Sequence, residues 1–146
     1  MAISAEWYGL ALKNLMDGST TFDWDTDTIK VALLSSAYTP NQDTHDFFDD
    51  VSANEITGTG YSSGGFTLSS CAVSYDSASN EIRLDAADIV ANPATFTARY
   101  AVVYKDTGTA STSPLLGLID FGADESPASA SFTISWSSSG VLKLTV

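Results

Sequence analysis

From Thr95 to Tyr104 the chain alternates with a period of two: Phe96, Ala98, Tyr100, Val102 and Tyr104 fall on one side of an extended backbone, Thr97, Arg99, Ala101 and Val103 on the other. No helix sorts its side chains this way, so the segment commits the chain to a sheet. A second run, Ile29-Lys30-Val31-Ala32-Leu33-Leu34, is apolar at every position but Lys30, the pattern of a strand covered on both faces. Further strands are read at Phe66–Tyr75, with Cys71, Val73 and Tyr75 on one face, at Glu81–Leu84, and at Leu115–Phe121. Ser131–Trp136 is expected to form a hairpin with Val141–Val146 through Ser137-Ser138-Ser139-Gly140.

The segments between them read as connections. Asp85–Pro93 ends on a proline that stops any helix, and Lys105–Ser113 and Gly122–Ala130 are polar loops. Only Ala2–Met16 carries helical spacing, with Ile3, Trp7, Leu10, Ala11 and Leu15 three or four residues apart, Ser4 as a cap and Asp17-Gly18 as a stop. Many short strands with frequent turns and one helix predict a mainly β fold. The expected architecture is an antiparallel β-sandwich or jelly-roll-like barrel with one short N-terminal helix, in a single domain over residues 1–146 whose residues 1–18 form the helical segment.

The chain has 146 residues, 44% of them hydrophobic, enough to bury a core without a disulfide or metal framework. Its single cysteine, Cys71, has no internal partner, and one Cys with one His does not make a zinc site. Eighteen acidic residues face six basic ones, a net charge of -12 that repels phosphate backbones and argues against nucleic acid as a partner. No stretch reaches the roughly 18 apolar residues of a membrane span, and the first residues lack the features of a signal peptide, so no membrane partner and synthesis in a cytoplasm are expected.

Candidate chemistry is sparse. Asp23, Asp25 and Asp27 alternate around Trp24 as calcium ligands would, but counting from Asp23 the glycine and glutamate positions of an EF-hand loop hold Thr28 and Leu34, so the stretch reads as an acidic turn. Gly58–Gly65 lacks the Lys-Ser/Thr ending of a phosphate loop and precedes a strand, so it reads as a tight turn. His45, the sole histidine, lies in the acidic segment Ser35–Ser52 with Phe47 and Phe48, which either tuck that loop onto the domain or meet a partner. Arg99, in mid-strand, calls for solvent or an acid, within the chain or in another subunit. No serine stands in a G-x-S-x-G elbow, and no pattern demands catalysis, a metal or a cofactor.

Several segments taken together carry a resemblance: Asp25–Leu34, Ser36–Asn41, Gly58-Thr59-Gly60-Tyr61 with Gly64-Gly65, Ala98–Tyr104, Leu118–Gly122 and Ser139–Leu144. In this order and spacing the chain resembles small virion structural proteins of tailed bacteriophages, over nearly its whole length. The resemblance implies a non-enzymatic capsid decoration (cement) protein with a β-sandwich fold, carried on the outer surface of the virion capsid after assembly in the host cytoplasm. As a mechanism for such a protein, the chain is expected to bind the major capsid protein where capsid subunits meet and to assemble with further copies of itself in a small symmetric oligomer such as a trimer. Ile3, Trp7, Phe47, Phe48 and Arg99 are the candidate capsid or subunit contacts, since termini are readily donated to neighbours and aromatic residues dominate interface cores. The alternative is a tail or host-recognition module binding cell-surface glycans, with Trp24 stacking on a sugar among Asp23, Asp25 and Asp27.

Overall fold

The computed structural model describes residues 2–146, and it is a β-sandwich-like fold of sheets that close no barrel and are antiparallel except where the first strand, Ala2–Ile3, runs parallel to its neighbour. The strands are β1 (Ala2–Ile3), β2 (Glu6–Trp7), β3 (Ile29–Leu34), β4 (Phe66–Thr67), β5 (Ala72–Asp76), β6 (Glu81–Asp85), β7 (Ile89–Thr95), β8 (Ala98–Lys105), β9 (Leu115–Glu125), β10 (Ala128–Trp136) and β11 (Leu142–Thr145), with one helix, α1 (Gly9–Met16). A five-stranded sheet runs β2-β9-β8-β3-β4, and two three-stranded sheets run β1-β10-β7 and β11-β6-β5.

The frame is one long two-stranded ribbon. β8 pairs with β9 from Tyr104↔Leu115 to Ala98↔Glu125, and β7 pairs with β10 from Thr95↔Ala128 to Ile89↔Ile134. At residues 96–97 and 126–127 both arms leave the five-stranded sheet and continue into a three-stranded one. Irregular register at Ala98/Tyr100 and at Ala128/Ala130/Phe132 supplies the bend, since extra residues on one strand kink it and raise its twist.

The five-stranded sheet is covered on both faces. Val31, Leu33, Ala101 and Val103 pack against Leu84, Ile89, Ile134 and Leu142 of the smaller sheets, around the buried ring of Trp24. Ala32, Leu34, Val102 and Tyr104 pack against Tyr8 and Ala11 of the N-terminal segment and Tyr38, Phe48 and Val51 of the long loop. This double coverage is why β3 is apolar but for Lys30, which reaches the rim and pairs with Asp106 at 2.7 Å.

Four expectations need correction. The helix occupies only Gly9–Met16, and Ile3 and Trp7 lie in short strands. Non-local bonds claim the backbone first: Ala5 N donates to Val141 O at 2.7 Å and Tyr8 N to Leu116 O at 3.0 Å, and Tyr8, not Ser4, precedes the helix, without a side-chain cap. Phe66–Tyr75 is two strands in different sheets, broken at Ser70, whose φ is 54°. Asp85–Pro93 and Gly122–Ala130 largely belong to β7, β9 and β10. Finally, β10 and β11 form no hairpin, because Ser137–Gly140 sends the chain across to pair β11 with β6.

Candidate interaction groove

The sheet β11-β6-β5 has two unlike faces. Strand β6 puts Glu81 and Arg83 on one side and Ile82 and Leu84 on the other. On the first side Glu81 meets Lys143 and Arg83, each at 2.8 Å, and Arg83 meets Asp76 at 2.7 Å. Hydrogen bonds from Lys143 and Arg83 hold the Glu81 carboxyl below its usual range. On the second side the cross-strand partners are apolar: Leu84 lies between Val73 and Leu142, and Ile82 between Tyr75 and Leu144.

Only part of that apolar face is covered. Leu84 and Leu142 are buried in the main core, Ile82 and Leu144 are half-buried, and Val73 and Tyr75 are 47% and 57% exposed. The sheet overhangs the sandwich, and α1 stands across from the overhang. Between them lies an open groove of about 380 Å³, walled by Leu12 and Leu15 of the helix, Trp7, Phe22, and the overhanging strands. Its floor is Trp24, held by a bond from Nε1 to the Asp85 carbonyl at 2.8 Å. Trp7 is fixed by Nε1 donating to the Lys143 carbonyl at 2.8 Å and by its tilted contact with Phe22, 6.3 Å between ring centres. The single ionisable side chain on the lining is Asp23.

Apolar surface left in water is unfavourable by roughly 25 cal/mol per Å², and contiguous patches of it mark contact sites. Beside Val73 and Tyr75, Met16 at the end of α1 and Val146 are also largely exposed.

The five sequence candidates are scattered. Trp7 lines the groove. Ile3 lies at the bend of the ribbon, against Phe121 and Phe132, in a second open cleft of about 440 Å³ whose remaining lining is largely polar or small. Phe48 is buried and stacks on Tyr104, with ring centres 4.2 Å apart, so the acidic loop is tucked onto the domain; Phe47 is half-buried and bridges to Pro114. Arg99 pairs within its own chain, Nε to Asp120 Oδ1 at 2.9 Å, and lies over the Tyr100 ring. Val73, on the exposed side of the groove, and Tyr75, next to it on the same sheet face but outside the groove, carry no sequence signal beyond an apolar strand face.

The other singled-out residues have structural partners. Trp24 is only 2% exposed, which leaves no ring face for a sugar. The acidic turn is bonded to itself: Asp23 N–H donates to Asp27 Oδ2 at 2.7 Å and Asp25 N–H to Asp23 Oδ1 at 3.1 Å, while Asp27 pairs with Lys105 at 2.9 Å. Among the described residues no three His, Cys, Asp or Glu side chains are grouped to hold a metal. His45 Nδ1 bonds the Tyr38 hydroxyl, which bonds the buried Tyr8 hydroxyl, both at 2.9 Å, and burial pushes both phenols upward in pKa. Gly64 N–H donates to Glu55 and Gly64 O accepts from Tyr104, fastening the glycine turn to the sheet. Cys71 is half-buried, and burial raises its thiol pKa. No helix among the described residues is long and apolar enough to cross a membrane. Compared with protein families, with curated proteins and with solved structures, the chain matches none.

Proposed function

We propose that this chain is a non-enzymatic structural protein of a tailed-bacteriophage virion, a decoration protein that binds the outside of the assembled head and stabilises it. The carrying observation is the overhanging apolar face of β11-β6-β5 opposite α1, with Trp7 half-buried and Val73 and Tyr75 open to solvent, a surface shaped for another protein. The resemblance in the order and spacing of its segments supports the same reading. So does the charge of -12, which suits the outside of a capsid and disfavours a lumen packed with DNA phosphates.

On this reading the major capsid protein occupies the groove, and the domain sits as a small symmetric oligomer where shell subunits meet. A ligand of the assembled shell alone shifts the assembly equilibrium by mass action, so shells carrying it resist heat better. Purified protein mixed with phage shells lacking it, then sedimented, tests this. Saturation at a copy number set by capsid symmetry, with a higher shell disruption temperature, is expected. Absence of binding to shells, or binding to tails or host cells instead, would reject the decoration reading.

A further inference from the structure

Resting on the reading of the groove as a docking face, we infer that it takes an apolar segment carrying basic residues, supplied by a different protein and not by a second copy of this chain. Charge pairing decides between those occupants. All six basic residues are already ion-paired within the chain: Lys13 with Asp17, Lys30 with Asp106, Arg83 with Asp76 and Glu81, Arg99 with Asp120, Lys105 with Asp27, and Lys143 with Glu81. Those pairs engage six of the eighteen acids, and the other twelve make no ion pair among the described residues.

Among the described residues the surface therefore offers carboxylates without an unpaired lysine or arginine. Two copies brought together at the groove repel each other and have no lysine or arginine to exchange without breaking an existing pair. The groove itself carries the complementary half of a mixed contact. Its lining is apolar except for Asp23, which makes no ion pair, and the exposed Asp25 stands beside it. A segment whose apolar side chains enter between Leu12, Leu15 and Ile82 brings its flanking lysines or arginines to Asp23 and Asp25. The apolar contact supplies affinity and the two carboxylates select the partner and speed its approach.

Two synthetic peptides of equal length and equal leucine content, one with lysines and one with glutamates at the remaining positions, are titrated into the full chain and followed by NMR. The lysine peptide is expected to shift the Trp7 indole and the Val73, Ile82 and Leu144 methyl signals. The glutamate peptide is expected to leave them unmoved. Asp23→Lys with Asp25→Lys weakens the lysine peptide about tenfold, because two exposed attractions become repulsions. Equal binding of both peptides, shifts centred on the acidic loop at Asp43–Asp50, or a concentration-dependent dimer with shifts at the groove would overturn the inference. The same double variant on phage shells separates the two claims. Shell binding that ignores the charge reversal sinks the basic-partner inference alone, whereas selective peptide binding with no shell binding sinks the decoration reading alone.

Discussion

Replacing Val73 and Tyr75 together by threonine separates binding from folding. Both side chains stand on the uncovered part of an edge strand, 47% and 57% exposed, so about half of the 1.5–3 kcal/mol released by burying a large apolar side chain is still available to a partner. That is about 1 kcal/mol each. Threonine is β-branched, as a strand favours, and removes most of that apolar gain. The double variant is expected to bind shells about 2 kcal/mol more weakly, roughly a 30-fold rise in Kd, while its unfolding free energy falls by about 2 kcal/mol, because the covered half of each side chain is lost from the fold as well. Sedimentation with shells gives the first quantity and urea unfolding the second. Undiminished shell binding would refute the placement of the docking face. A folding loss above about 4 kcal/mol would show that these side chains already belong to the core.

Other residues test the fold around the groove. Trp24→Ala removes the buried floor and is expected to cost about 3–5 kcal/mol in thermal unfolding, the usual range for a buried aromatic. Gly140→Ala places a methyl carbon 2.6 Å from the Leu84 carbonyl at a φ of 87°, and a loss of at least about 2 kcal/mol by chemical denaturation is expected. Arg99→Ala breaks a pair that solvent largely screens, so a change below about 1 kcal/mol is expected in the same assay. Hydrogen bonds from Lys30 and the Gly108 amide lower the Asp106 carboxyl, and those from Arg99 and the Gly122 amide lower Asp120. Folded values below the unfolded ones give stability that is complete above about pH 4 and is lost as pH falls through the lowered values. Asp46, raised by burial and by Asp50, acts in the opposite direction. Urea midpoints should therefore drop between pH 5 and pH 2; a midpoint that stays level would contradict the paired acids.

The sheets were legible where the chain states its own surroundings. Ile29–Leu34 is apolar on both sides because its sheet is covered on both sides, and the alternation of Thr95–Tyr104 survives as β8, although the bend at Ala98 moves Phe96 onto the connection to β7. Partners distant in sequence decided the rest. Ile3 and Trp7 have helical spacing, yet β10 and β9 take their backbones into sheets, an outcome that 15 residues of local pattern do not contain. The Ser137–Gly140 turn invites a hairpin, but β6 offers β11 a full register from Leu84 to Glu81. Of the proposed docking face, Trp7 was found as an aromatic near a terminus. Val73 and Tyr75 were not, because an inward strand face and an overhanging one have the same alternation, and only the extent of the opposing sheet tells them apart.

Hydroxyl-radical footprinting of the shell-bound chain tests most directly whether this face carries the docking. Trp7, Met16, Val73 and Tyr75 are expected to react in the free protein and to be protected on the shell, while Val90, largely exposed on β7, stays reactive in both. Protection of Val90 with Trp7, Val73 and Tyr75 still reactive would contradict docking through the groove.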